Sequence, residues 1–297
     1  MKLLTGWLRN GGQRRQFPTI CLALVLILVA AATAGLTTPG RACGIITHHN
    51  IAERAAATLP GLDYPVLMDI LADYPGIVSY GSVWPDWGYT LKGFGWGDIY
   101  GNYSDAAHEH ALTAAYLDYL KPTLSNPYSE DDRKAIAFLL GIIAHNEADN
   151  PFHFGPNAFL WIAMNNEGQT DQALFEEDID LMVRNSYEGG WGATNACDGW
   201  EVPAKAKQAI AAAYTAASYP EVDGFKLDGG RDRQNTLCGW EKWEPFINSH
   251  VWTEQNFLNW PDGGLLDMSN HTAAVWMQTW DELSETTYSL YLPAVVR

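Results

Sequence analysis

Basic side chains are scarce in this sequence: 18 lysines and arginines stand against 35 aspartates and glutamates, a formal net charge of −17. Residues 1–42 hold five of the 18 basic residues and no acidic one, so the imbalance is sharper in the remainder of the chain. Such a surface repels nucleic acid and anionic lipid headgroups, except where a bound cation reverses the local sign. Cysteine is also sparse, with four in 297 residues, which excludes a disulfide-built scaffold. The core must come from apolar packing, and a hydrophobic fraction of 47% is ample for that. Alternating strand patterns are few, and neither an internal repeat nor a low-complexity tract is present, so barrels, sandwiches and solenoids are set aside.

One long apolar run exists, from Ile20 to Ala34, and it follows Lys2, Arg9, Arg14 and Arg15. It is short for a membrane span and reads as a secretory signal, cleaved after Ala34 or Ala42. Arg14-Arg15 also fits a loose twin-arginine export pattern. Export would place the chain outside the cytoplasm, secreted or periplasmic, with residues 43–297 as the working domain and 190–297 either part of it or a C-terminal extension. Cys21 would leave with the signal, and the simplest oxidised arrangement of the remainder is a Cys197–Cys238 disulfide.

Helix signals dominate. Thr47 caps a helix running to about Leu59, stopped by Pro60-Gly61, and Ser104 caps one ending before Lys121-Pro122. Ser129 with Asp132 forms a capping-box pattern opening a helix through Asp149, which Asn150-Pro151 should break. Further helices are expected near 171–185, 201–217 and 272–290, making the fold all-α. Between 80 and 103 the chain is rich in glycine and aromatics and reads as a long ordered loop, able either to pack in the core or to meet a lipid interface or a quaternary ammonium group.

Histidine is unevenly spread. His48, His49, His108, His110, His145 and His153, six of the eight, fall within 48–153, which points to metal. In the 129–149 helix, Ile136, Leu139, Leu140 and Ile143 form one apolar stripe, while Phe138 and Ile142 begin a second that His145 and Asp149 continue. A carboxylate on a helix buried all round costs several kcal/mol unless it is paired or metal-bound. Spacing of i, i+4 puts His145 and Asp149 on one face, as a hydrogen-bonded pair or as two ligands of one ion. Glu167 and Asp171 repeat that spacing, and Asp86 lies in the turn Trp84-Pro85-Asp86-Trp87, as a cap or as a ligand. His108 and His110 are about 200° apart on a helix, so one site would use only one of them.

Taken in order, CGIITHHNIAERA at Cys43–Ala55, GSVWPDWGY at Gly81–Tyr89, SDAAH at Ser104–His108 and IAFLLGIIAHNEADNPFH at Ile136–His153 resemble the zinc-dependent phospholipase C/D family over roughly 43–180. The resemblance implies an all-α, multi-helix bundle with a trinuclear metal cleft holding up to three zinc ions. By position, His48, Asp86, His108, His145 and Asp149 would serve two close zincs, and His153, Glu167 and Asp171 the third. Family members usually carry a second histidine where this chain has Glu167. The amino group and carbonyl of a mature N-terminal Cys43 would also be ligands, or its thiolate if cleavage falls earlier. The chemistry implied is phosphodiester hydrolysis by a zinc-bound hydroxide attacking phosphorus, with Asp86 as catalytic base. The partner implied is a phospholipid or glycolipid headgroup at a membrane surface; nothing calls for an obligate protein partner. Two alternatives stay open: a single-strand-specific zinc nuclease, and a non-catalytic zinc-stabilised surface protein.

Overall fold

Ser129 shows how closely local sequence and structure agree at the start of the central helix. Its hydroxyl accepts from the Asp132 amide at 3.2 Å, and Asp132 Oδ2 accepts from the Ser129 amide at 2.9 Å, a reciprocal capping box. The computed structural model describes residues 44–61, 63–91, 97–189, 195–220, 222–245 and 248–289, all within one compact unit spanning Pro39–Arg297. Among them are thirteen α-helices and no strand. They are α1 (Ile45–Thr58), α2 (Pro65–Asp73), α3 (Pro75–Gly81), α4 (Trp87–Thr90), α5 (Gly97–Ala107), α6 (His110–Leu120), α7 (Glu130–His153), α8 (Phe159–Glu167), α9 (Gln172–Tyr187), α10 (Ala204–Ala216), α11 (Gly224–Trp243), α12 (Val251–Asn256) and α13 (Leu265–Ser289). Residues 1–43, including Cys43 and the whole signal-like leader, lie outside the described residues. No helix among the described residues is long and apolar enough to cross a membrane.

The middle of α7 is buried on every side: Ile136, Phe138, Leu139, Leu140 and Ile142 have no exposed surface. Each such side chain contributes about 1.5–3 kcal/mol. Helices α1, α3, α6, α8, α10 and α13 pack around it. The crossing with α3 is backbone on backbone, because a Cβ on Gly141 would collide with the Val78 carbonyl and with Gly81. Only glycine at both positions lets Ser82, one residue past α3, reach α7.

Asn150-Pro151 does not end α7, which continues to His153. The missing amide of Pro151 removes one helical bond in the last turn, but the turn is held otherwise. The Phe154 amide donates to the Asn150 carbonyl at 3.0 Å, and Phe152 is fully buried against Phe159 and Phe257. The stretch 80–103 is likewise not a loop where described: it contains the end of α3, a 3₁₀ turn at Trp84–Asp86, α4 and part of α5. Tyr80, Trp84 and Trp87 are fully buried, so these rings are core and not a lipid-facing surface. Phe94 and Trp96 fall outside the described residues. Ser104 lies inside α5 instead of capping it, and its hydroxyl accepts from the Gly88 amide at 2.8 Å.

The last hundred residues close the same core. Helix α10 packs on α6 and α7, and α13 on α1 and α7. Trp276 donates to the Leu140 carbonyl at 2.7 Å, and Tyr80 to Gln234 at 3.0 Å. Cys197 and Cys238 form a disulfide with Cα atoms 5.8 Å apart. Helix α11, in a stretch too polar and glycine-rich to show periodicity, is started by Asp223, which accepts from the Lys226 amide at 2.9 Å.

Asp132 ties α7 to α10. It is 2% exposed, accepts from the Ser125 amide at 3.0 Å and pairs with Lys205. Burial alone would raise its carboxyl, but Lys205 and the serine donors hold it well below the usual carboxylate range. A depressed folded-state pKa means the contribution is present at neutral pH and lost as the solution is acidified through the carboxylate range. Asp132→Asn is therefore expected to cost about 1–3 kcal/mol at pH 7 and to flatten the acid limb of stability. Denaturant melts of both proteins at pH 7 and pH 3 check this; equal losses on acidification would refute it.

Candidate metal centre

His145, on the buried face of α7, is 0% exposed. Its Nδ1 lies 2.9 Å from the Ser82 carbonyl. His108 sits where α5 ends, and its Nδ1 lies 2.7 Å from the Ser104 carbonyl. A carbonyl can only accept, so in both rings Nδ1 carries a proton and Nε2 is the nitrogen turned inward, with a lone pair there when the ring is neutral. The two Nε2 atoms meet at 2.9 Å. Asp149, one turn beyond His145, brings Oδ2 to 3.2 Å from His145 Nε2 and 3.4 Å from His108 Nε2, while Asp86 Oδ1 lies 3.3 Å from the latter. His48, on α1, stacks on His145 with ring centroids 3.9 Å apart and reaches Asp149 Oδ1 at 3.3 Å. Two overlapping ligand sets result, His48/Asp86/His145 and His108/His145/Asp149, each with its donor atoms within 4.8 Å of one another.

The buried atoms test whether a cation belongs there. His48 Nδ1 and Nε2, Asp86 Oδ1 and Asp149 Oδ1 are shielded from solvent and make no hydrogen bond. Each such group costs on the order of 1–3 kcal/mol if left unmatched. A proton between two imidazoles would serve that pair alone, whereas divalent ions would satisfy all of them. Anchoring the second ring nitrogen on a backbone carbonyl is also how metal-ligating histidines are oriented. The donor set of imidazoles and carboxylates suits zinc.

Electrostatics agree. Burial opposes charge on Asp86 and Asp149, but His145, His108 and, for Asp149, His153 hold both carboxyls below their ordinary range. Burial and the neighbouring His48 lower His145, keeping it neutral, as a ligand must be. For His108 burial is outweighed by Asp149 and Asp86, which raise it, so an ion bound at Nε2 would have to displace a proton there. Asp86 has no side-chain capping bond in its turn, so the capping role open to it by sequence is not the one it plays. His110 begins α6, exposed and 3.6 Å from Glu147, because the helix breaks between it and His108.

His153, at the end of α7, turns Nε2 toward Asp149 Oδ1 at 3.7 Å and Nδ1 toward Glu176 Oε1 at 3.5 Å. The expected carboxylates for this corner were Glu167 and Asp171, and the structure engages both elsewhere. Glu167 accepts from the Thr253 amide at 2.9 Å, and Asp171 caps α9 by accepting from the Leu174 amide at 3.2 Å. A residue at the end of one helix and another at the start of the next do not share a face merely by i, i+4 spacing. Glu176, in the second turn of α9, takes the place instead. It is 1% exposed, with Oε1 accepting from Gln172 Nε2 at 2.8 Å and Oε2 without a hydrogen-bond partner. Burial, added to the charges of Asp149, Asp86 and Asp180, pushes its carboxyl up to about 9. One turn further, buried Asp180 accepts from the Ile46 amide at 2.9 Å and the Thr47 amide at 2.6 Å, fixing the start of α1 just ahead of His48.

Comparison with known proteins points the same way. A family model described as zinc dependent phospholipase C matches residues 47–193. Phosphatidylinositol-glycan-specific phospholipase D of Dictyostelium discoideum is 27% identical over 282 residues, covering 86% of this chain and 27% of that protein. The Homo sapiens protein of the same name is 30% identical over 117 residues, covering 38% of this chain and 14% of its own. The chain thus spans about a quarter or less of the length of these relatives. No solved structure matches it significantly. The matched span contains His48, Asp86, His108, His145, Asp149, His153 and Glu176. With these residues on an all-α scaffold, the chain belongs to the zinc-dependent phospholipase C/D family.

Proposed function

We propose that this protein is an exported zinc-dependent phosphodiesterase that hydrolyses phospholipids. The observation that carries the reading is the convergence of His108 Nε2 and His145 Nε2 at 2.9 Å beside Asp149, with both Nδ1 protons committed to carbonyls. His48, Asp86, His108, His145 and Asp149 would hold two zinc ions with Asp149 between them, and His153 with Glu176 a third. An N-terminal Cys43 ligand remains part of the proposal. Bound zinc would supply Lewis acidity toward phosphate oxygens and would lower the pKa of a bound water to about 7.

The chain's own residues define the remainder. Asp86, held ionised by His145 and His108 against its burial, is positioned to accept a proton at Oδ1. The Ser82 and Ser104 carbonyls keep His145 and His108 in the tautomer that turns Nε2 inward. His48, His145 and Asp149 are almost wholly buried, so bulk solvent has little access to their polar atoms. The acidic surface favours a zwitterionic headgroup over a polyanion.

Purified zinc-loaded protein is expected to hydrolyse phosphatidylcholine vesicles and to leave single-stranded DNA intact. The products identify the bond broken: diacylglycerol for cleavage on the glycerol side of phosphorus, phosphatidate for the headgroup side. Cleavage of DNA alone would make the protein a nuclease, and inertness toward both would make the metal structural.

A further inference from the structure

His49 follows a ligand of the zinc cleft in sequence but faces a different set of partners. Its Nδ1 lies 3.0 Å from Ser79 Oγ, and the Ser79 hydroxyl donates to the Ala196 carbonyl at 2.6 Å. A hydroxyl has one proton, and this one is committed to Ala196, so Ser79 must accept from His49 Nδ1–H. The lone pair of the neutral ring is then on Nε2. That atom is buried, makes no hydrogen bond, and belongs to a residue only 7% exposed. It points between two carboxylates, with Glu53 Oε2 and Glu188 Oε2 each 3.9 Å away. The three donor atoms lie within 4.8 Å of one another.

We propose that His49, Glu53 and Glu188 form a further divalent cation site, separate from the zinc cleft. A separation of 3.9 Å is too long for a hydrogen bond from Nε2. It suits donors that share an ion at about 2.0–2.6 Å from each. One imidazole with two carboxylates is a harder, more oxygen-rich set than that of the cleft, of the kind that accommodates manganese or zinc. The two carboxylates supply the charge that a divalent ion neutralises. Glu188 is pre-set, since its Oε1 accepts from Asn50 Nδ2 at 2.7 Å and Asn50 Oδ1 accepts from Arg54 at 2.6 Å. A cavity of about 130 Å³, lined by His49, Glu53, Ser79 and Asn195 among others, opens beside the ring. It has room for the waters that would complete the coordination sphere. The ion would clamp α1 to the segment leaving α9.

Glu53 is the ligand to change, because its side chain is 59% exposed and its loss leaves the core intact. With the cleft already loaded with zinc, the full-length mature protein is titrated with manganese, and free ion is followed by its paramagnetic resonance signal. Wild type is expected to bind one manganese and to melt at higher temperature with it. Glu53→Gln should bind at least tenfold more weakly and lose the thermal shift while hydrolysing phosphatidylcholine at the wild-type rate. A wild-type zinc count one higher than that of Glu53→Gln, with manganese excluded until that ion is removed, would equally support the site. Equal metal content and equal manganese binding in the two proteins would overturn it, whatever the fate of the proposed lipase activity.

Discussion

Asp149→Asn is expected to abolish phospholipid hydrolysis and to strip metal from the cleft in the same preparation. Among the described residues, Asp149 is the one carboxylate within 3.7 Å of His48, His108, His145 and His153 together. The asparagine keeps the shape but removes the charge and one of the two anionic oxygens that lie among these imidazoles. Changing residues that merely support a metal ligand costs 10–100-fold, so loss of the shared ligand should exceed about a hundredfold in kcat/KM. Metal analysis and phosphatidylcholine turnover, read beside circular dichroism to confirm folding, decide the matter. A folded variant with wild-type turnover would eliminate the assignment of Asp149 as the shared ligand.

Removing the metal from the wild-type protein should have the second-largest effect, this time on stability. Chelation leaves His48, Asp86 and Asp149 with buried atoms that make no hydrogen bond. An ion present at a thousandfold over its Kd contributes about 4 kcal/mol, and for a domain of this size each kcal/mol moves Tm by roughly 2–4 °C. A fall of about ten degrees or more on exhaustive dialysis against a chelator is the expected result, reversed by zinc together with activity. An unchanged melting curve in demonstrably metal-free protein would mean that the cluster is held by protons alone.

These two experiments fall on residues that were legible for different reasons. His145 and Asp149 announce themselves: an imidazole and a carboxylate at i, i+4 continue an apolar stripe, on a helix with no polar side left to face water. His48, Asp86 and His108 came from motif order and not from spacing, because they lie on three other elements. Glu176 and Asp180 carry a weaker signal, although with Arg184 they form an i, i+4 row on α9 that is 1% exposed at each position. That row could have been noticed as charge along one face. Sequence does not say that this face turns inward, and a solvated face is the commoner meaning of such a row.

By itself, then, the sequence determined what is local: the helical class, the Ser129 box that starts α7, and the pairing of ligand types one turn apart. Backbone hydrogen bonds and side-chain periodicity act over a few residues, so a few residues suffice to specify them. Only the tertiary structure decided what meets across helices. It ended one helix before His108 and began the next at His110, carried α7 through Pro151 to bring His153 within reach of Asp149, and placed Glu176 beside His153 where Glu167 and Asp171 are expected. It also turned the aromatic stretch into core by closing α10 and α11 over it. Those outcomes rest on how buried helices fit against one another, as at Gly81 and Gly141, and that fit is a property of facing surfaces that no single segment contains.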